Sequence, residues 1–192
     1  NLINTNKDAS RTKAIEIYPY FSSKLSKKKD ANKADAILFL SLISGRNAEM
    51  LIGKQVITAP ILKRSSLEIL PTGYMLIDSG KPTTVSYMSN TTPIPHHKNT
   101  IATCTAIAGE MLGLKIIFMD GGSGAKNPIS KNMIQEVSKS IDIPLIIGGG
   151  IGSGNKAADM CKAGADIIVV GNAIEKDLSL ITEISTAIHS YK

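Results

Sequence analysis

The chain has 192 residues, of which 43% are apolar and 20% charged, enough to build one sizeable core and too few for two comfortable domains. No apolar run approaches the roughly 20 residues that span a bilayer, and the opening "NLINTNKDASRTK" is too polar for a signal peptide, so a cytoplasmic protein is expected. The net charge of +6 raises nucleic acid as a partner, but aromatics make up only 4% and none interleaves with the basic residues of "KLSKKKD" (24–30), so the excess is read as a solvated face with a general attraction for anions.

In chain order, "AIEIYPY" (14–20) reads as a strand, and "DAILFLSLIS" (35–44) as a strand buried on both faces. "NAEMLIGKQVITAP" (47–60) has helical spacing at Met50, Leu51, Lys54 and Ile57, with an end expected before Pro60. "LEILPTGYMLIDSG" (67–80) and "TTVSYMSNT" (83–91) are strand-like, the second a small excursion from the main sheet. A small-residue helix over 98–113 closes at Gly113, "KIIFMD" (115–120) is a strand, and Ser130 caps a helix over 130–141. "PLII" as strand, "SGNKAADMCKAG" as helix, "DIIVVG" (166–171) as strand and one closing helix complete the chain. Cys104 and Cys161 fall in helices with no CxxC spacing and are expected to be buried free thiols, and the three histidines have no zinc spacing.

Strands alternating with amphipathic helices predict a parallel sheet with right-handed crossovers. About six such units are counted against the eight of a (β/α)8 barrel, with a doubly wound open sheet as the competing architecture. "DGGSGAKNP", "GGGIGS" and "GNAIE" each follow directly on one of the last strands, so all lie at one rim, the carboxyl ends of the strands. That favours a barrel, with Gly148, Gly149 and Gly150 presenting bare amides to phosphate oxygens beside the positive end of the next helix. The plainer alternative is that these glycines serve turns and close packing. No Gly-Lys-Ser/Thr follows, so this is not a Walker loop, and the match to a dinucleotide fingerprint is loose.

"ADAILFLSLISGRN", "APILKRSSLEILPTGYMLIDSG", "AGEMLGLKIIFMDGGSGAKNPIS" and "IPLIIGGGIGSGNKAADMCKAGADIIVVGNAI" together resemble the geranylgeranylglyceryl and heptaprenylglyceryl phosphate synthases (PcrB-like), in the branch found in Bacteroidetes. The resemblance runs from about residue 14 to the C-terminus. It implies a modified TIM barrel that joins a polyprenyl diphosphate to the 3-hydroxyl of sn-glycerol 1-phosphate, with Mg2+, releasing pyrophosphate. It also implies a dimer or hexamer that meets the membrane only through its lipid substrate.

Carried over residue by residue, the resemblance places Ser123, Gly124, Gly149, Gly150, Gly171 and Asn172 on the phosphate of glycerol 1-phosphate. Asp120 stands where the family usually has Glu, holding the glycerol hydroxyls and acting as general base; a plain loop cap is its alternative. Phe118 stands where Tyr is usual, so one hydroxyl contact is lost. On the prenyl diphosphate side stand Arg46, Lys63, Tyr74 and Lys126, each with a plainer role open: surface ion pair, solvated lysine or rim packing. The family's opening βα units, with a metal-binding Asp-Pro-Asp-Lys motif, have no counterpart here, so residues 1–13 read as a polar tail or remnant before a single barrel domain over 14–192. The competing functions are a truncated, non-catalytic phosphate-binding barrel or assembly subunit, and, more weakly, another phosphate-binding barrel, against which "SLISGRN" and "PTGY" argue.

Overall fold

Continuous apolar runs bounded by polar residues make the sheet, because strands buried on both faces need no alternation. The structure, a computed structural model, describes residues 2–4, 15–16 and 35–190. Its strands are β1 (Leu2–Asn4), β2 (Ile15–Glu16), β3 (Ala36–Leu42), β4 (Glu68–Leu76), β5 (Ile116–Asp120), β6 (Leu145–Gly148) and β7 (Ile167–Val169). They form one sheet in the order β1-β7-β6-β5-β4-β3-β2. β2 to β7 run parallel in sequence order, and β1 pairs antiparallel with β7. The described part is thus a TIM barrel represented by six parallel strands. Of the expected strand over 14–20, only Ile15–Glu16 is described; the rest of that stretch and the basic run 24–30 lie outside the described residues.

The helices are α1 (Lys54–Leu62), α2 (Thr84–Ser89), α3 (Asn99–Met111), α4 (Lys131–Ser138), α5 (Gly154–Ala163), α6 (Asn172–Lys176) and α7 (Leu180–His189). One sheet face packs Met75, Ile77, Ile117, Met119, Ile147 and Ile168 under apolar residues of α3, α4, α5 and α7. The other packs largely on itself, with Leu38, Leu40, Leu42, Tyr74, Leu76, Ile116, Phe118 and Ile146 in a second cluster. That second cluster is the barrel interior, whose mouth at the strand ends carries the site.

Local caps fall where the residue types place them. Ser130 accepts from the Met133 amide at the start of α4, and Gly113, at φ +89°, follows α3. Five expectations are corrected. Helix α1 runs through Pro60 to Leu62, because only two residues follow the proline and Leu62 is buried. A π-helical turn over Glu49–Gly53 precedes α1 and rotates its face, so Gln55 and Leu62 are buried while Leu51, Ile52, Val56, Ile57 and Ile61 face outward.

Residues 84–89 are helical rather than strand-like. Thr83 and Ser86 cap each other's backbone amides, and Asn90 ends the helix in the left-handed region at φ 48°. This capping box outweighs the β propensity of Thr84, Val85 and Tyr87. The closing helix is two, α6 and α7, divided at Asp177, whose backbone is extended and whose Oδ1 accepts from the amide and hydroxyl of Ser179. Finally, Cys161 is buried as expected but Cys104 is exposed, because it falls on the solvent side of α3.

Candidate functional site

Strand register builds the site. Tyr74 lies opposite Phe118, Leu76 opposite Asp120, and Asp120 opposite Gly148. Since 74, 118 and 120 share the interior face, Tyr74, Phe118 and Asp120 converge at its mouth. Tyr74 meets Phe118 edge to face, with ring centroids 5.2 Å apart. Its hydroxyl donates to Asp120 Oδ2 at 2.6 Å, while the Gly122 amide donates to Asp120 Oδ1 at 2.8 Å. Burial pushes the Asp120 carboxyl above the usual range, and those two hydrogen bonds pull it partly back.

Asp120 therefore does cap the loop that follows it, and the same carboxylate also faces the barrel mouth. Tyr74 packs the rim and is, in addition, the hydroxyl beside Asp120, a contact that the Phe118 position cannot supply. Its spacing in "PTGY" carries no sign of this, because the partner is 46 residues away.

The loops after β5, β6 and β7 meet at the same rim. Gly121 donates its amide to Gly148 at 3.0 Å. The Ser123 hydroxyl donates to Asn172 Oδ1 at 2.8 Å, joining the β5 loop to the start of α6. Gly124, Gly149 and Gly150 all have positive φ, at +71°, +87° and +71°. A Cβ on Gly149 would fall 2.7 Å from the Gly121 nitrogen, and one on Gly150 would fall 2.8 Å from the Pro128 nitrogen. Close loop packing is thus a second reason for these glycines. Among the described residues, no acceptor takes the amides of Gly124, Gly149, Gly150 or Asn172. Ser123, Gly124, Gly149, Gly150, Gly171 and Asn172, scattered over 50 residues of chain, are all placed at this rim.

The next helix contributes less than expected. Glu183 Oε1 accepts from the first amide of α5, Gly154, at 2.6 Å, and Ser153 accepts from Lys156. Those two amides are satisfied within the fold.

Arg46 follows β3 and Lys126 lies in the β5 loop, so both stand exposed at the Asp120 rim. Lys63 does not: it ends α1 just before β4 begins, at the opposite rim. Among the described residues no three His, Cys, Asp or Glu side chains are grouped to hold a metal ion. An all-protein cage for the Mg2+ that the resemblance implies is therefore not found among the described residues, and Mg2+ is ordinarily held by one or two carboxylates together with substrate phosphates. No described helix is long and apolar enough to cross a membrane.

An α/β barrel with a carboxylate at its mouth and glycine-rich loops after its last strands has the architecture in which that rim commonly carries a phosphate site. The model of the PcrB family matches residues 21–188, and the chain belongs to that family. It is 62% identical over 157 residues to the geranylgeranylglyceryl phosphate synthase of Chitinophaga pinensis, covering 82% of this chain and 62% of the relative. To the synthase of Pyrococcus horikoshii it is 39% identical over 180 residues, covering 94% and 68%. The crystal structure of (S)-3-O-geranylgeranylglyceryl phosphate synthase from Thermoplasma acidophilum in complex with sn-glycerol-1-phosphate matches at TM-score 0.76 and 32% identity, covering 83% of this chain and 64% of that one. The chain thus spans less than two thirds of the length of several such relatives, at 62%, 64% and 65%.

Proposed function

We propose that this chain, as a single barrel domain over residues 14–192, transfers a prenyl group from a geranylgeranyl or longer diphosphate to sn-glycerol 1-phosphate. The observation that carries the reading is the part-buried Asp120 carboxylate at the barrel mouth, beside loops whose Gly124, Gly149, Gly150 and Asn172 amides have no acceptor among the described residues. The phosphate sits on those amides and on Ser123. This places the glycerol 3-hydroxyl at Asp120, where a poor nucleophile is held and oriented.

In the step itself the glycerol oxygen forms a bond to the allylic C1 of the prenyl chain while the bond from C1 to the diphosphate oxygen breaks. The hydroxyl proton passes to the Asp120 carboxylate, and pyrophosphate leaves with the bonding pair. The Tyr74 hydroxyl, bonded to Asp120 Oδ2, keeps the carboxylate oriented and favours its ionised form. Arg46 and Lys126, at the same rim, face the developing charge on the leaving diphosphate. The resemblance makes Mg2+ the expected companion of that diphosphate. The described residues form no three-ligand group for it, so its ligands would be the diphosphate oxygens and water with at most one or two carboxylates. The product is an ether-lipid precursor, so the membrane is met through the lipid, and the working assembly is a homo-oligomer.

Incubation of the full chain with labelled sn-glycerol 1-phosphate, prenyl diphosphate and Mg2+, followed by organic extraction, tests the reading. Labelled lipid is the expected result. Glycerol phosphate binding with no lipid formed would overturn it in favour of the non-catalytic phosphate-binding barrel.

A further inference from the structure

We propose that Lys81 is a further ligand-binding residue of this rim, its ammonium held over the Ser123–Gly124 turn to pair with the phosphate of the acceptor; the inference rests on the anion site read above. Lys81 lies between β4 and α2, in a segment that neither the glycine clusters nor the family resemblance singled out.

The placement follows from how residues 77–83 are tied down. The Ile77 amide donates to the Asp120 carbonyl at 2.9 Å, and the Asn127 amide donates to the Ser79 carbonyl at 3.2 Å. Gly80 turns at φ +87°, and its amide donates to Asp78 Oδ1 at 2.9 Å. On the other side Thr83 caps α2 and packs so closely on the β5 loop that a Cβ on Gly122 would fall 2.8 Å from it. Pro82 restricts Lys81 to extended backbone. The lysine is therefore anchored from both ends, and its Nζ reaches within 3.8 Å of where a Cβ on Gly124 would stand.

The charge there is uncommitted. Lys81 takes part in neither ion pair found among the described residues, His96–Asp78 and Lys131–Asp159. The nearest acid in sequence, Asp78, has Oδ1 on the Gly80 amide and Oδ2 toward His96. Bare amides supply partial charges to a phosphate, whereas an ammonium supplies a whole one on a flexible stem. Lys81 brings that whole charge to the loop, at an exposed position where salt screens it.

The test is calorimetric titration of the full chain with sn-glycerol 1-phosphate and with inorganic phosphate, each at low and high salt. Lys81→Gln, which keeps a polar stem without charge, is expected to weaken both by about tenfold and to flatten the salt dependence. Lys81→Arg is expected to restore most of the affinity, and Lys139→Ala, at the end of α4, to bind as the unaltered protein does. Lys81→Gln binding with unaltered affinity and salt dependence would overturn the inference while leaving the anion site standing. Equal weakening in Lys81→Gln and Lys81→Arg would also overturn it, marking a structural role. Failure of the unaltered chain to bind either anion is a separate result that removes the anion site, and Lys81's part in it.

Discussion

The Tyr74 hydroxyl donates to Asp120 Oδ2 at 2.6 Å, joining two residues of adjacent parallel strands whose register sets Tyr74 against Phe118 and Leu76 against Asp120. The tyrosine reaches diagonally across the interior face, past the ring of Phe118, to a carboxylate two residues beyond its register partner. A hydroxyl from β4 thus stands beside the acid although β5 itself carries phenylalanine at 118. Replacing Tyr74 by Phe keeps the ring packing and removes one donor to the carboxylate. Since that donor favours the ionised form, its loss raises the Asp120 pKa further, and the acid limb of the rate profile moves to higher pH. A drop of about tenfold in transfer at neutral pH is expected from a lost charge-assisted hydrogen bond. A rate profile unchanged in Tyr74→Phe would remove Tyr74 from the mechanism.

Asp120→Asn is expected to lower transfer by about 100-fold or more, the usual loss when a general base is removed. Its effect on stability has the opposite sense. Burial raises the carboxyl in the native state above its reference value of 3.8, so between the two values the folded chain holds a proton that the unfolded chain has released. The stability linked to this group is complete below the unfolded value and is lost as pH rises through the folded one. Asp120→Asn has no such loss, so its melting temperature relative to the unaltered protein rises from acid toward neutral pH. Melting curves across that range check the sign.

Gly149→Ala and Gly150→Ala are each expected to cost about 2–4 kcal/mol, from left-handed backbone strain plus a forced contact. The new methyl would stand 2.7 Å from the Gly121 nitrogen in one case and 2.8 Å from the Pro128 nitrogen in the other, both backbone atoms that cannot swing away. Gly152→Ala, with nothing within 4 Å of the added carbon, is expected to stay within about 0.5 kcal/mol. Denaturant unfolding of the three variants would sink the packing argument if they proved alike.

Ser123→Ala removes the exposed 2.8 Å bond to Asn172 Oδ1. Little change in stability is expected, because water replaces the partner. The two loops lose the link that aligns them, and Ser123 is lost as a phosphate donor, so KM for sn-glycerol 1-phosphate should rise by about tenfold with kcat less affected. Steady-state kinetics at saturating prenyl diphosphate decide this, and a loss confined to kcat would count against a binding role.

What the amino-acid order determined by itself is the part of the protein governed by near neighbours. Apolar runs such as Ala36–Leu42 make strands, Ser130 and Gly113 bound helices, and glycines directly after β5, β6 and β7 must reach one rim because parallel strands end on the same side. Each of these follows from short-range sterics and periodicity, which a single chain displays in one dimension. The tertiary structure decided which distant residues meet: Tyr74 with Asp120, Ser123 with Asn172, and Lys81 with the turn at Gly124. It also set Glu183 on the first amide of α5, 29 residues away, whereas the Thr83–Ser86 capping box that makes 84–89 a helix is a near-neighbour signal that the β propensity of Thr84, Val85 and Tyr87 hid. The distant pairings depend on strand register and loop packing between segments far apart in the chain, and a contact across such a distance exists only once the barrel has formed.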